Sequence, residues 1–315
     1  MKKALSVLMV CVLCASMLAA CGKTGVNENA ADFTVGVCQL MVHDALDQAT
    51  KGFTDRLTEM LQQEGKTVSI DVQVAGEANL CTTVINTFTA KNVDLIMGNA
   101  TPALLAAANA TTKIPVLGTS VTDYEDTFKG NIPENVTGTS DAVPFADQAQ
   151  MMIDTLNLVA GDKVGVLYCI NESNSLVQYN TVKELFEEKG IEVKAYTFSE
   201  VTELQALVTS MASECKAVYV PSDNTVAQND SLVGTICTDK KVPVFTSYGG
   251  DICYASLAID YYALGQRTGE MAAQMLLGQK KPSDMVVETL IPSVVYNEEL
   301  CAKLGIAVDT ITGTK

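Results

Sequence analysis

The stretch VDLIMGNATPALLAAANATTKIPVLGTS, residues 93–120, indicates the fold of this chain. Its two ends, residues 93–99 and 114–120, are short and largely apolar, as strands buried in a parallel sheet are. Between them, Thr101 and Pro102 mark a helix start, because proline fits the first helical turn, where its missing N–H is not needed. A strand, a helix and a second strand in this order predict a βαβ unit.

The same alternation continues along most of the chain. The predicted strands are residues 33–39, 68–75, 93–99, 114–120, 163–169, 192–198, 217–222 and 242–248. The intervening segments have helical apolar spacing; in the helix predicted over 44–64, Phe53, Leu57 and Leu61 recur every four positions. Gly65 follows that helix at a position where helices commonly end. The pattern predicts an α/β protein with doubly wound parallel sheets.

The alternation occurs twice, in residues 33–120 and 163–248, which predicts two similar lobes with a cleft between them. A helical segment, 261–278, and a strand-like segment, 285–297, follow the second set. We expect this helix to return to the first lobe and the last strand to join the second, so that the chain crosses the hinge three times. The expected division is a first lobe of residues 33–141 and 259–282, and a second lobe of residues 142–258 and 283–315.

The N-terminus, MKKALSVLMVCVLCASMLAACGKTG, combines two lysines, an apolar run and small residues before a cysteine, which is typical of a secretory signal peptide. The apolar run is at the short limit for a membrane span. LAAC, residues 18–21, resembles a bacterial lipobox, which implies a signal peptide of residues 1–20 and a diacylglyceryl group on Cys21. An ordinary cleaved signal with an incidental cysteine is the alternative. Residues 21–32 are small and polar, as a flexible tether is. We therefore expect an extracytoplasmic protein, lipid-anchored to the bacterial cell membrane.

Composition excludes several classes of function. With 37 acidic and 21 basic residues, the formal net charge is −16, so nucleic acid is not an expected partner. Ten cysteines are present; beyond Cys21 there are seven, without a C-x-x-C pair, and several lie in apolar strands, which suits small buried residues better than a disulfide framework. The one histidine, His43, makes a metal site unexpected. No cofactor is expected.

Polar residues follow the predicted strands, where ligands bind in open parallel sheets. They include Gln39, Thr101, Ser120, Asp141, residues 171–175, residues 222–225, Tyr248 and Asp260. Hydroxyls, amides and a few carboxylates, without a nucleophile and its base, suit a zwitterion, with Asp141 or Asp223 for its ammonium group. Helix N-caps are the structural alternative for Thr101 and Asn224.

The segments VGVCQLMVHDALDQATKGF, NVTGTSD, VYVPSDNTVA and AIDYYALGQRTGEMAAQMLLG resemble the tryptophan/tyrosine-type substrate-binding lipoproteins of bacterial ABC importers. The resemblance covers roughly residues 33–305. It implies the type I periplasmic-binding-protein fold, with two lobes that close on an amino-acid-like, often aromatic ligand and deliver it to a permease and its ATPase. It implies a ligand-binding role for Gln39, Thr101, Ser120, Asp141, Asn174, Ser175, Asp223, Asn224 and Asp260.

One segment departs from the family pattern. TSYGGDICYASLAID, residues 246–260, has two glycines after Tyr248 where relatives often carry acidic residues. An aromatic ligand needs a stacking wall, and Tyr248, Tyr124 and Tyr168 are the tyrosines that lie near predicted strand ends. We take Tyr248 as a ligand-binding residue.

The expected function is therefore a monomeric, non-enzymatic binding protein whose lobes close on a ligand. A ligand-sensing lipoprotein for signalling and a binding protein for a small solute other than an amino acid are the alternatives. An enzyme that uses a carboxylate pair is a further alternative, but His43 is alone and neither a G-x-S-x-G nor a glycine-rich phosphate signature is present. A two-lobed repressor would need a basic DNA-binding headpiece.

Overall fold

The computed structural model describes residues 31–312. The predicted signal peptide, the predicted lipidation site Cys21 and all but the last two residues of the predicted tether lie outside the described residues. Within residues 31–312, no helix is at once long enough and apolar enough to cross a membrane.

Strands and helices alternate along the described chain and are numbered here in chain order. The strands are β1 Phe33–Gln39, β2 Val68–Val74, β3 Leu95–Asn99, β4 Val116–Val121, β5 Val136–Ser140, β6 Lys163–Cys169, β7 Glu192–Phe198, β8 Ala217–Val220, β9 Val244–Thr246, β10 Ala255–Ala258, β11 Glu288–Thr289 and β12 Ser293–Tyr296. The helices are α1 Asp44–Gln63, α2 Cys81–Lys91, α3 Thr101–Ala110, α4 Tyr124–Phe128, α5 Phe145–Leu156, α6 Ser173–Glu187, α7 Leu204–Glu214, α8 Asn224–Gln228, α9 Asp230–Asp239, α10 Tyr261–Leu276, α11 Glu298–Leu304 and α12 Val308–Thr312.

The first lobe contains a parallel sheet in the order β11-β5-β4-β3-β1-β2. One face packs against α2 and α3 through a cluster that includes Phe88 and Leu104. The other face packs against α1 and α10 through Phe53, Leu57 and Met271. Because both faces are covered, the central strands β1, β3 and β4 are buried on both sides, which explains their largely apolar sequences.

The second lobe contains a parallel sheet in the order β7-β6-β8-β9 and an antiparallel pair, β10 and β12. One face of the parallel sheet packs against α5 and α6 through Met152 and Phe186. The other face packs against α7 and α9 through Val208, Met211 and Val233. The doubly wound arrangement predicted from the sequence is confirmed in both lobes.

Helix α10 follows the second lobe in the chain but packs on α1 of the first lobe. The two helices touch at glycines: a Cβ atom added to Gly265 would lie 2.0 Å from the backbone oxygen of Ala49, and one added to Gly52 would lie 2.0 Å from that of Tyr262. Arg56 of α1 also pairs with Glu270 of α10 at 2.8 Å. This packing agrees with the expected return of the helix to the first lobe.

The chain passes between the lobes at residues 141–144, 259–260 and 290–292, so the three predicted crossings are confirmed. The third crossing lies later than expected, because β11 pairs with β5 through Glu288 and Thr139. Arg267 of α10 holds Glu288 with two hydrogen bonds of 2.7 Å. The lobe boundary placed after residue 282 is therefore wrong, and the chain stays with the first lobe through Thr289.

Two strands were not predicted from the sequence: β5, which lies inside the segment taken as a lobe connection, and β10, whose four residues give little pattern.

The seven cysteines of the described chain are buried and form no disulfide with one another. They are Cys38, Cys81, Cys169, Cys215, Cys237, Cys253 and Cys301.

Candidate functional site

The two lobes enclose a small polar chamber beside the hinge. Its volume is about 20 Å³, which is room for about one water molecule. We call this space the chamber. The residues that line it are His43, Ala45, Leu46, Ser120, Asp141, Ser222, Asp223, Asn224, Ala227, Tyr248 and Tyr261.

The chamber adjoins a larger space between the lobes, which we call the outer cleft. Its volume is about 690 Å³, and its walls come from α1, the α8–α9 region, residues 248–252 and the start of α10. Five residues line both spaces: His43, Ala45, Ala227, Tyr248 and Tyr261. A ligand with a polar head and a flat side chain can therefore extend from the chamber into the outer cleft.

Asp141 is the main charged group on the first-lobe wall of the chamber. It follows β5 and is 6% exposed; its Oδ2 accepts a hydrogen bond of 2.9 Å from the hydroxyl of Tyr261. Its Oδ1 is buried and has no hydrogen-bond partner among residues 31–312. Burial raises the pKa of Asp141, and the hydrogen bond from Tyr261 opposes that shift. A buried acceptor without a partner costs free energy, which a ligand with a cationic donor recovers.

Ser120 lies on the same wall. The pairing of β4 with β5 shifts register between Gly118 and Val121, and Ser120 adopts a left-handed backbone conformation with φ of 54°. Its Oγ is buried without a partner among the described residues. The irregularity thus places an unsatisfied hydroxyl on the chamber wall, where it can donate to or accept from a ligand.

Asp223 lies on the second-lobe wall and is 1% exposed. Its Oδ1 accepts from the backbone N–H of Val226 at 2.9 Å, and its Oδ2 accepts from the N–H of Cys169 and the hydroxyl of Ser175, each at 2.8 Å. Burial and the nearby Glu172 raise the pKa of Asp223, while the three donors favour its ionised form. Asp223 caps α8 and joins it to β6, so both of its oxygens are already engaged within the lobe.

Glu172, which was not among the expected ligand-binding residues, fixes the start of α8. It is 4% exposed and accepts four hydrogen bonds of 2.7–2.8 Å: two from Asn224 and two from Thr225, in each case from the backbone N–H and the side chain. Its position just after β6 is the only sequence signal of this role. Four donors hold the carboxylate and orient Asn224 toward the first lobe.

Two hydrogen bonds join the lobes around the chamber. His43 Nε2 lies 3.2 Å from Asn224 Oδ1, and Gln178 Nε2 donates to Thr122 Oγ1 at 3.3 Å. Because Asn224 Nδ2 donates to Glu172, its Oδ1 faces His43, and the proton of the imidazole lies on Nε2. Burial lowers the pKa of His43, which keeps the ring neutral at neutral pH. The structure is thus a closed arrangement of the lobes.

The ten expected ligand-binding residues divide into two groups. Those that line the chamber are Ser120, Asp141, Asp223, Asn224 and Tyr248. The other five are Gln39, Thr101, Asn174, Ser175 and Asp260. Gln39 bonds to Met41, Asp47 and Thr50 inside the first lobe.

The other four residues of the second group also lie outside the chamber. Thr101 is buried at the start of α3. Asn174 donates to the backbone oxygen of Ser222 at 2.6 Å, and Ser175 donates to Asp223. Asp260 caps α10 and lines the outer cleft.

The aromatic wall differs from the expected one. Tyr248 lines the chamber. Tyr124 instead lies in the first-lobe core, where its hydroxyl donates a hydrogen bond to the backbone oxygen of Thr139. The ring of Tyr168 packs against that of Tyr179, with ring centroids 5.2 Å apart. Tyr124 and Tyr168, the other two candidates for a stacking wall, are therefore not available to a ligand, because both side chains point into the lobes. Tyr261, which the sequence reasoning missed, takes their place.

Within residues 31–312, no group of three or more histidine, cysteine or acidic side chains is arranged to hold a metal ion.

Two doubly wound lobes that close over a polar chamber define a solute-binding protein of the type I periplasmic-binding-protein fold. The family model described as ABC transporter substrate binding protein matches residues 34–311, and the chain belongs to this family. The family consists of substrate-binding proteins and not of enzymes, and its members act outside the cytoplasm.

Three known proteins are similar to this chain. A tyrosine-binding protein of Clostridioides difficile is 32% identical over 95% of this chain and 91% of its own length. A Streptococcus pneumoniae ABC domain in complex with L-Trp is 31% identical, with a TM-score of 0.80, over 88% of this chain and 95% of its own. A ligand-free, open structure of a Clostridium difficile substrate-binding protein with adhesive properties is 30% identical, with a TM-score of 0.64, over 87% and 95%.

The two solved structures are almost equally similar to this chain in sequence but not in shape. The TM-score is 0.80 for the ligand complex and 0.64 for the ligand-free, open structure. In shape, this chain is therefore more similar to the ligand complex than to the open structure. This agrees with the closed arrangement of the lobes that the hydrogen bonds around the chamber indicate.

Proposed function

We propose that this chain is the receptor of an ABC importer for an aromatic amino acid, with the amino-acid head group in the chamber and the ring between the chamber and the outer cleft. The observation that carries the proposal is Asp141 Oδ1, a buried carboxylate oxygen without a partner among residues 31–312. An ammonium group is the ligand group that such an oxygen binds most strongly. Ser120 adds a second unsatisfied polar atom for the head group.

The shape and composition of the junction between the two spaces support an aromatic side chain. Besides His43, four residues line both the chamber and the outer cleft. They are Ala45 and Ala227, whose side chains are single methyl groups, and the aromatic residues Tyr248 and Tyr261. Small residues from opposite lobes leave a slot, and tyrosine rings favour stacked or edge-on contacts with another ring. The relatives named for tyrosine and crystallised with L-Trp support the same ligand class.

The size of the chamber implies movement. A space of about 20 Å³ does not admit an amino acid, so the ligand enters an open form and the lobes close around it less tightly than in the structure described here. Because the ligand contacts both lobes, it stabilises the closed form relative to the open one. We infer that the permease recognises this ligand-bound form and receives the ligand from it.

Binding of aromatic amino acids is the first expected result. In isothermal titration calorimetry against the twenty amino acids, tyrosine, tryptophan or both should bind, and the same compounds should raise the melting temperature, because a ligand that binds only the folded state stabilises it. Glutamate and ribose serve as negative controls. Heat of binding with sugars or nucleobases alone would overturn the proposal.

We also propose that Cys21 carries the lipid that anchors the receptor. In cells, Cys21→Ser should move the protein from the membrane fraction to the soluble fraction, because no lipid can then be attached to the side chain. Cys14→Ser, within the predicted signal peptide, is the matched control and should leave the protein in the membrane fraction. Retention of the Cys21→Ser protein on membranes would contradict the anchor.

A further inference from the structure

The outer cleft is lined by acids and contains no opposite charge. Asp44, Asp230, Asp251 and Asp260 contribute to its wall, and no lysine or arginine of the described chain lines it or the chamber. The cleft therefore disfavours an acidic ligand side chain. It also offers acceptors to a ligand group that donates a hydrogen bond.

One of these acids is placed where the side chain of a bound amino acid would end. Tyr248 lines both the chamber and the outer cleft, and its hydroxyl donates to Asp230 Oδ1 at 2.7 Å. A ligand ring that lies along Tyr248, with its head group at Asp141, would therefore point toward Asp230.

The second oxygen of Asp230 is free to interact with a ligand. Oδ2 accepts no hydrogen bond from residues 31–312, whereas Oδ1 is held by Tyr248. Gly250 lies beside it, and a Cβ atom added there would be 3.4 Å from Oδ2. The two-glycine segment after Tyr248 thus keeps this side of the carboxylate uncrowded.

We propose that Asp230, oriented by Tyr248, accepts a hydrogen bond from a donor on the ligand's ring, so that the site selects tyrosine over phenylalanine. This inference rests on the proposed function and adds the basis of its specificity. When the lobes close on phenylalanine, Asp230 Oδ2 loses water and gains no donor. A site built to accept a hydrogen bond rejects an analogue that lacks the hydroxyl, because a buried polar group is then left unpaired.

The selectivity should depend on pH. Burial raises the pKa of Asp230 to about 7; the negative charges of Asp251 and Asp44 act in the same direction, and the hydrogen bond from Tyr248 opposes them. His43, Asp260, Tyr261 and Tyr262 are the other titratable or charged groups on this wall. The ionised carboxylate is the stronger acceptor, so the preference for tyrosine should increase as the pH rises from 6 to 8.

The test compares tyrosine and phenylalanine by calorimetry with the mature chain at pH 6 and pH 8. We expect tyrosine to bind at least about tenfold more tightly at pH 8, with a smaller ratio at pH 6. In Asp230→Asn the amide NH₂ would replace the free acceptor, so tyrosine affinity should fall about tenfold while phenylalanine affinity stays within about twofold. Asp239→Asn, at the exposed end of the same helix, is the matched control and should behave as the wild type.

A second variant keeps the test decisive if Asp230→Asn fails to fold. Tyr248→Phe removes the hydroxyl that orients Asp230, and it should reduce the tyrosine-to-phenylalanine ratio. Equal affinity of the wild type for the two ligands, or equal losses for both in Asp230→Asn, would overturn the specificity proposal and leave the proposed function standing. If neither ligand binds the wild type, both proposals are wrong.

Discussion

Asp141→Ala should weaken binding of the aromatic ligand by roughly 100-fold, or about 3 kcal/mol. The carboxylate is 6% exposed, and its Oδ1 has no partner among the described residues, which is the basis of the proposed pairing with the ligand's ammonium group. Removing one partner of a buried charge pair leaves the other charge buried and uncompensated, which is why the expected loss is large. Calorimetry with the preferred amino acid measures it directly.

Two further variants show whether charge or shape is responsible. Asp141→Asn keeps the size of the side chain and an acceptor for Tyr261, so a comparable loss of affinity in this variant assigns the effect to the charge. Asp239→Asn removes a charge from an exposed site on α9 and should change affinity by less than about twofold. An Asp141→Ala protein that binds within threefold of the wild type would remove this residue from the site.

Gly265→Ala should lower the free energy of unfolding by about 3 kcal/mol, which corresponds to a fall in melting temperature of roughly 6–12 °C. The new Cβ atom would lie 2.0 Å from the backbone oxygen of Ala49, so α1 and α10 must separate. Neither helix can relax by a change of rotamer alone, because the clash is with backbone. Thermal unfolding followed by circular dichroism measures the change.

Gln62→Ala is the control for this substitution, since it adds alanine to an exposed position of α1 and should change stability by less than about 0.5 kcal/mol. The Gly265→Ala protein should also bind ligand more weakly, because α10 begins with Tyr261, whose hydroxyl holds Asp141. An unchanged melting temperature would show that the two helices are not in the close contact described above.

The sequence predicted most of the secondary structure because the decisive signals are local. The bounds of β1, β6 and β7 agree with the predicted strands, since each is a short run rich in β-branched and other strand-forming residues that ends at a polar or turn-forming segment. The rule that ligands bind beyond the carboxyl ends of parallel strands also led to Ser120, Asp141, Asp223, Asn224 and Tyr248, all of which line the chamber.

The directions of side chains near the strand ends were less predictable than the strands themselves. Tyr124 and Tyr168 lie near strand ends, as Tyr248 does, yet only Tyr248 reaches the cleft. The direction of a side chain near a strand end depends on how the following loop turns. Sequence spacing does not fix that turn, and Tyr261 was missed for the same reason.

By itself, the sequence determined two doubly wound α/β lobes, three passages of the chain between them, and the ends of the strands at which polar groups gather. Only the tertiary structure decided that the two-residue strand β11 completes the first sheet, held by Arg267, and that His43 meets Asn224 across the cleft. Strand and helix patterns arise from neighbours in the chain, which the sequence displays. Contacts between lobes depend on how two folded bodies approach each other, and that geometry is set by packing among residues far apart in sequence.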